Sequence, residues 1–148
     1  MPVKFKLVID PTKEEEIVAT VHEPSALTEQ IQQLVMEYTG TDRITAYGED
    51  DAVILKFQQI ACITVQDGKT YAIDTKGKQY RLKQRLYELE GLLPASFIRI
   101  NKSAIANENH IQKFAANFSG AVDVVFQGGY REYVSRRCFA LIKRRYGI

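Results

Sequence analysis

Two short stretches in the C-terminal third of the chain combine a cation with a hydroxyl. Lys102 stands directly before Ser103, and Ser135 stands directly before Arg136 and Arg137. A hydroxyl beside a cationic side chain can bind phosphate oxygens, and an arginine fork can pair with guanine O6 and N7 in a major groove. The chemistry indicated is that of holding a nucleic-acid backbone and reaching into a groove, and it makes or breaks no bond.

The second stretch stands at the start of a predicted helix over residues 135–146. Ser135 is suited to the N-cap position, so Arg136 and Arg137 occupy the first helical turn. A cation there opposes the helix dipole at a cost of about 0.3–1 kcal/mol. The hydroxyl, the backbone N–H groups and the two guanidiniums together predict an anion site. An ion pair with the acidic N-terminal part of the chain is the alternative interpretation.

A predicted short helix over residues 83–92 shows a weaker form of this pattern. Lys83 and Arg85 lie in its first turn, while Glu88 and Glu90 lie near its end, the reverse of what the helix dipole favours. We therefore predict phosphate contacts from Lys83 and Arg85. The alternative is a local ion pair between Arg85 and Glu88, worth only tenths of a kcal/mol.

A third cationic position follows a strong turn signal. Lys69 and Thr70 come directly after Asp-Gly at residues 67–68, which is typical of a two-residue hairpin turn. If this turn, Lys102 and Arg136 all emerge on one side of the molecule, three loop tips would contact DNA together. The spatial alignment of these tips is the expectation on which the functional interpretation depends.

Charge is distributed unevenly along the chain. The 148 residues include 20 basic and 18 acidic side chains. Residues 1–51 hold four of the basic and eleven of the acidic side chains, a net of −7, whereas residues 52–148 hold sixteen and seven, a net of +9. Such asymmetry favours a polyanionic partner for the basic part. A solvated surface that merely segregates its charges is the alternative.

From residue 43 onward the chain is predicted to form short strands separated by turns every eight to twelve residues. The predicted strands are 43–47, 52–57, 60–66, 70–74, 79–82, 97–100, 111–118, 121–127 and 130–134. The predicted helix over residues 83–92 interrupts these strands, and the predicted helix over residues 135–146 follows the last of them. Without a βαβ rhythm or an internal repeat, the expected class is mainly β with short helices, an α+β fold of small antiparallel sheets and hairpins.

Residues 1–42 are predicted to form a small acidic unit of two strands and a helix. Residues 3–9 alternate apolar and polar side chains, and residues 17–21 read as a second strand. A helix over 24–39 follows, with an apolar stripe at helical spacing and Gly40 suited to its end. Such a unit is too small to fold alone, so we expect it to pack on the rest of the chain or on a second copy. Its expected role is dimerisation or regulation.

Other classes of protein find little support. The chain has no apolar run of eighteen residues and no signal-peptide pattern. Cys62 and Cys138 lack C-x-x-C spacing, so reduced thiols of a cytoplasmic protein are expected. His22 and His110 have no triad partners, and no phosphate-loop, dinucleotide or zinc motif occurs. We therefore expect no catalytic residue, no cofactor, no metal and no small-molecule substrate.

The C-terminal residues resemble the LytTR family of bacterial DNA-binding domains. The matching pieces are F-I-R-I-N-K-S-A-I-A-N-E-N-H-I at 97–111, Y-V-S-R-R at 133–137, and the strand–turn–strand–helix pattern from Ile60 to Leu92. The spacing R-x-x-x-S-x-x-x-N-x-x-x-I together with V-S-R is fairly specific, whereas either half alone is weak. The resemblance covers residues 43–148, which gives the chain a DNA-binding domain after the acidic unit.

This resemblance implies a regulator of transcription that binds two imperfect direct repeats as a homodimer. Loop residues enter successive major grooves and the DNA bends. The implied base-reading residues are Thr70, Lys102 and Arg136, and the implied phosphate contacts are Lys69, Ser103, Ser135 and Arg137. The short side chain of Thr70 departs from the longer group expected at that position.

Many relatives carry a phosphorylated receiver domain ahead of this module, but the first 42 residues are too few for one. The chain instead resembles the stand-alone subgroup, whose members are regulators held in check by a small membrane protein. Residues 1–42 would then dimerise the protein or cover its basic face. The alternative from a different class is a protein-interaction module whose basic face binds an acidic protein partner.

Overall fold

The computed structural model describes residues 3–148 and contains ten strands and three α-helices within them. The elements in chain order are α1 (Ala26–Thr39), β1 (Arg43–Tyr47), β2 (Ala52–Lys56), β3 (Ile60–Gln66), β4 (Lys69–Asp74), β5 (Gln79–Leu82), α2 (Leu86–Leu92), β6 (Phe97–Asn101), β7 (Ala104–Asn107), β8 (Ile111–Ala116), β9 (Val122–Phe126), β10 (Arg131–Val134) and α3 (Arg136–Tyr146). Short 3₁₀ turns occupy Phe57–Gln59 and Glu108–His110. The predicted fold class, mainly antiparallel β with short helices, is confirmed.

The strands form two antiparallel sheets. Seven strands lie in the order β2-β1-β5-β4-β3-β7-β6, and three lie in the order β10-β9-β8. Both faces of the larger sheet are covered, which explains why its interior strand β3 is apolar almost throughout. Ile63 of β3 packs into one core with Leu89 of α2. Cys62 packs into the other with Phe126 of β9 and Ile142 of α3.

The hairpin between β3 and β4 has the turn that the sequence predicts. Gln66 pairs with Lys69, so the loop contains only Asp67 and Gly68. Their φ angles are 52° and 74°, respectively. Two successive positive φ angles are those of a type I′ turn, whose twist matches the flanking strands and which favours Asp-Gly. This local agreement fixes the register of the hairpin.

The two predicted N-terminal strands are absent. Residues 3–9 and 17–21 have no strand structure, and their side chains are exposed. An apolar alternation favours a strand only where a neighbouring strand supplies backbone partners, and within residues 3–148 no strand pairs with either segment. The predicted strand–strand–helix unit is therefore reduced to its helix in the single chain.

Helix α1 begins two residues later than predicted. Ser25 stands at its N-cap, so Pro24 precedes the cap and does not occupy the first helical position. Gly40 ends the helix with φ 72°, as the sequence suggests. The helix has no buried residue, although Met36 packs against the first core. Within residues 3–148, no helix has the length and apolar character needed to cross a membrane.

Helix α2 and strand β7 differ from what the sequence predicts. Helix α2 begins at Leu86 with Arg85 as its N-cap, so Lys83 and Arg85 do not lie in its first turn. The bend at residues 83–84 keeps the chain out of helical geometry after β5. Strand β7, Ala104–Asn107, was not predicted, because a four-residue segment with two alanines has little strand signature.

Candidate nucleic-acid interface

Two of the predicted tips lie at the same end of the seven-stranded sheet. Strands β3 and β7 are antiparallel, with Thr64 opposite Ala104. The end of β3 therefore lies beside the start of β7, and the residue 67–69 turn (the turn tip) neighbours residues 102–103 (the middle tip). The Val65 N–H donates a hydrogen bond to the Ser103 carbonyl oxygen at 2.8 Å, which joins the bases of the two tips.

The third tip, residues 135–137 at the start of α3 (the helix tip), is joined to the middle tip by two hydrogen bonds. The Ser135 N–H donates to the Ile100 carbonyl oxygen at 2.9 Å. The Asn101 side-chain amide donates to the Tyr133 carbonyl oxygen at 2.8 Å. Both bonds lie within two residues of Lys102 or Arg136. The structure thus brings the three tips together in the order turn tip, middle tip, helix tip.

Asn101 holds the middle and helix tips in register. Its side chain is only 1% exposed. While its Nδ2 donates to Tyr133, its Oδ1 accepts a hydrogen bond from the Ser103 N–H at 2.7 Å. One buried amide therefore fixes both the turn after β6 and the end of β10. Asn101 is not among the site residues predicted from the sequence, although an asparagine at a strand end before Lys-Ser is a typical turn-forming signal.

Arg99 stabilises the backbone of the middle tip. Its Nε donates to the Asn101 carbonyl oxygen and its Nη2 donates to the Lys102 carbonyl oxygen, each at 2.8 Å. Its Nη1 forms an ion pair with Glu90 of α2. The backbone of Lys102 is thereby fixed while the Lys102 side chain stays exposed.

The helix tip has the predicted cap. The Ser135 hydroxyl accepts a hydrogen bond from the Cys138 N–H at 3.2 Å, which confirms Ser135 as the N-cap of α3. Arg136 and Arg137 are the first two helical residues and are exposed. Between residues 3 and 148, no carboxylate forms a salt bridge with Lys69, Lys102, Arg136 or Arg137; the four salt bridges there involve Arg43, Arg99, Arg131 and Arg145. The internal ion pair weighed as an alternative for Arg136 is not seen in this part of the chain.

The far end of α3 is anchored. Arg145 Nε and Nη2 donate to the two carboxylate oxygens of Glu108, each at 3.0 Å, and Nη2 also donates to the Ala95 carbonyl oxygen at 3.2 Å. The hydrogen bonds to Glu108 raise the pKa of Arg145, so this guanidinium stays charged. The Tyr146 hydroxyl donates to the same carboxylate. This clamp holds the axis of the helix that carries Arg136 and Arg137.

Thr70 does not suit the base-reading role predicted for it. It lies inside β4, opposite Val65 on one side and Leu82 on the other, and it is 7% exposed. Adjacent strand residues face opposite sides of a sheet, so Lys69 points outward where Thr70 points inward. Lys69 and Asp67 are the exposed charged groups of the turn tip. Thr70 is therefore removed from the candidate interface.

Lys83 lies near the tips although it is not helical. Leu82 pairs with Thr70, so the end of β5 is at the same end of the sheet as the turn tip. The Lys83 ammonium lies 4.6 Å from the centre of the Tyr47 ring, a cation–π distance. Arg85 is exposed, and its N–H donates to the Glu88 carboxylate at 3.2 Å. Phosphate contacts by Lys83 and Arg85 stay predictions.

The LytTr DNA-binding domain family model matches residues 50–147. An HTH-type transcriptional regulator of Staphylococcus aureus (strain MSSA476) is 30% identical over 148 residues, covering 98% of this chain and 99% of the relative. A counterpart from strain NCTC 8325 is 29% identical over the same length. The chain belongs to the LytTR family and carries its DNA-binding domain.

A solved structure agrees with this assignment. The LytTr DNA-binding domain of a methyl-accepting/DNA response regulator from Bacillus cereus superposes with a TM-score of 0.66 at 27% identity, covering 72% of this chain and 98% of that domain. The helix-turn-helix in the relatives' description has no counterpart among residues 3–148, where strands separate every pair of α-helices.

Proposed function

We propose that this protein is a cytoplasmic, sequence-specific regulator of transcription that binds duplex DNA through the turn, middle and helix tips. The single observation that carries the proposal is that hydrogen bonds join the bases of the three tips, with their cations exposed. In this scheme Arg136 and Lys102 read base edges. Lys69, Ser103, Ser135 and Arg137 contact phosphates, and Lys83 and Arg85 add charge beside them.

The bonds at the base of the tips support binding to duplex DNA. A protein that already holds its contacting backbone in place loses less conformational entropy on binding. Here Asn101, Arg99 and the Ser135 cap fix the backbone at the middle and helix tips, and only side chains remain to be ordered. An arginine with no salt bridge among the described residues can present its fork to guanine without first breaking one.

The family resemblance adds the arrangement of the site on DNA. We propose that two copies bind two spaced direct repeats, each copy placing its tips in successive major grooves and bending the duplex. Phosphate contacts would supply most of the affinity, and Arg136 most of the sequence discrimination. No step of this function involves catalysis, a cofactor or a metal.

Selection of bound fragments from a random duplex library by the full chain tests this proposal. The enriched fragments should carry a pair of spaced direct repeats. In titrations on such a fragment, the logarithm of the binding constant should fall linearly with the logarithm of salt concentration, with a slope near −0.9 per neutralised phosphate. Absence of enrichment, with no promoter fragment bound at low salt, would overturn the proposal and leave an acidic protein as the partner of the basic face.

A small membrane protein that restrains the regulator belongs to the proposal through the family resemblance alone. Fractionation of host cells tests it, because a restrained regulator should sediment partly with membranes and move to the soluble fraction when the restraint is released. A full chain that never sediments with membranes would remove this element and leave DNA binding untouched.

A further inference from the structure

Exposed apolar side chains are concentrated at the N-terminal end of the described chain. Residues 3–39 hold eleven of the nineteen large hydrophobic side chains that are exposed, although they form a quarter of the sequence. Val3, Phe5, Leu7 and Ile9 alternate along the first segment, with Phe5 89% exposed. So many exposed apolar side chains in one short part of the chain favour an interaction surface.

The local structure of this region is partly in place. The turn between the two unpaired segments is formed, since Asp10 Oδ1 accepts hydrogen bonds from the Thr12 N–H at 3.0 Å and from the Thr12 hydroxyl at 2.6 Å. Helix α1 is complete and ends in a left-handed Gly40. Its stripe of Leu27, Leu34 and Tyr38 is exposed. A local turn after the first segment and the helix are formed, and neither segment has a strand partner within the described chain.

Size explains why the single chain leaves the region incomplete. Residues 3–39 are fewer than about 40, below which a fold needs a metal, disulfides or association to be stable. A two-stranded hairpin is marginal alone, whereas three or more strands packed against helices are stable. Two copies would supply four strands and two helices, which meets that requirement.

Charge favours a second copy as the occupant. Residues 3–9 carry Lys4 and Lys6 and no acid, whereas residues 14–21 carry three glutamates and no base. A surface with both signs in separate strips is complementary to itself, as a two-fold interface requires. Residues 3–39 as a whole hold seven acidic and three basic side chains, so DNA and anionic lipid are disfavoured as occupants.

We propose that residues 3–39 are a self-association surface. Segments 3–9 and 17–21 of two copies form one antiparallel sheet, and the two α1 helices cover its apolar face. The segments gain strand structure only on association. This inference deepens the proposed function by supplying the second copy that paired repeats require, and it rests on residues outside the three tips.

Sedimentation of the full chain without DNA tests the inference. The wild type should be a dimer that dissociates on dilution. The double variant Phe5→Asp/Leu34→Asp places two carboxylates in the buried face and should weaken the dimer by about 100-fold or more. Both side chains are exposed in the single chain, so the variant keeps its fold. Phe118→Asp is the matched control, because Phe118 is fully exposed outside this region and its substitution should leave the dimer unchanged.

A second measurement separates self-association from other roles. Hydrogen exchange at the amides of residues 3–9 should slow as the wild-type concentration rises, and should stay fast in the double variant. A wild type that remains monomeric at every concentration would overturn the inference and point to a different protein as the occupant. An equally stable dimer in the double variant would also overturn it.

Measuring duplex binding and self-association separately distinguishes failure of the DNA-binding role from failure of the dimer. Failure to bind any duplex, with self-association intact, would reject the DNA-binding role and leave the dimer. Conversely, the double variant should bind a single repeat as tightly as wild type and lose only its preference for paired repeats. Weaker binding to a single repeat would show that residues 3–39 act on the tips and would contradict an interface separate from them.

Discussion

The tip end of the molecule and its N-terminal region are built in opposite ways. At the tips the backbone is fixed by hydrogen bonds from Asn101, Arg99 and Ser135, and exposed cationic side chains lead away from it. In residues 3–21 the backbone has no strand partner within the described chain, and the exposed side chains are apolar. Under the proposed function the first arrangement binds duplex DNA, and under the proposed self-association the second gains strand structure when a second copy binds.

One small chain can thus make two kinds of contact, one through a preorganised surface and one through a segment that folds on association. A preorganised tip limits the entropy lost on binding and so favours specific docking to a groove. A segment that folds on association loses more entropy, so its affinity per unit of buried area is lower. Dissociation by dilution would then affect the N-terminal contact before the tips lose their shape.

The largest effect is expected at Asn101, which joins two tips. Asn101→Ala removes the part-buried hydrogen bonds to the Tyr133 carbonyl and from the Ser103 N–H, so both backbone groups lose the partner that Asn101 supplies. The free energy of unfolding should fall by about 2–6 kcal/mol, at about 1–3 kcal/mol for each of the two groups. Urea unfolding measures this loss, and Asn109→Ala on an exposed side chain is the control. A loss no greater than that of the control would mean that the tips are held without Asn101.

Arg136 should be the next in magnitude, and its effect should be confined to DNA binding. If Arg136 reads a base edge as proposed, Arg136→Ala removes its guanidinium fork, so the selected duplex should bind about 1–3 kcal/mol more weakly, and discrimination should relax at one base position. Arg144→Ala, an exposed arginine on the far turn of the same helix, is the matched control and should change little. Competition with single-base variants of the selected site measures both. Equal losses for the two variants would reduce the role of Arg136 to general charge.

A smaller and sequence-independent effect is expected at Lys69. If Lys69 contacts phosphate, Lys69→Gln should weaken binding to all duplexes alike and make the salt slope less steep by about 0.9. Titrations at several salt concentrations on the selected site and on an unrelated duplex measure it. Lys113→Gln, an exposed lysine on β8, is the control. Loss on the selected duplex alone would instead assign Lys69 a base contact.

Contacts between residues that are close in the sequence could be predicted, whereas contacts between distant residues could not. The Asp67–Gly68 turn and the Ser135 cap were predictable, because both depend on residues within four positions of each other. The bond from Asn101 to Tyr133 and the clamp from Arg145 to Glu108 were not, since they join residues 32 and 37 positions apart. Such contacts follow from how the sheets and helices pack.

The errors in the sequence analysis have physical causes as well. Thr70 and Lys69 are neighbours, and only the pairing of β4 with β3 and β5 decides which of them faces solvent. A shift of one residue in the register would bury Lys69 and expose Thr70. Residues 3–9 have strand periodicity, but periodicity specifies which face is apolar and supplies no hydrogen-bond partner. Which of Lys69 and Thr70 faces solvent depends on strands β3 and β5, which lie elsewhere in the chain. Strand structure in residues 3–9 depends on a partner strand that the described chain does not supply.

The smallest effect is expected at Asp42, at the junction between the N-terminal region and the rest of the chain. Asp42 lies between α1 and β1, and its buried carboxylate accepts a hydrogen bond from the Arg43 Nε at 2.8 Å. This bond holds the pKa of Asp42 below its ordinary value of 3.8. The folded protein therefore binds this proton more weakly than the unfolded chain, so the stabilisation is present above about pH 4 and is lost as pH falls through the folded-state pKa. Asp42→Asn should remove that part of the acid sensitivity.

Thermal unfolding of the wild type and Asp42→Asn between neutral pH and pH 3 measures this effect. The gap between the two proteins should narrow as the medium becomes acidic, because protonation removes the charge that the variant already lacks. Asp50→Asn, in the exposed β1–β2 turn, is the control and should follow the wild type. Since the Asp42 carbonyl oxygen also accepts the Phe57 N–H at 2.9 Å, the main chain of the junction should survive the substitution. A gap independent of pH would place the stabilising role of Asp42 in its shape and hydrogen bonding, not in its charge, and the boundary between the two regions would then be insensitive to acid.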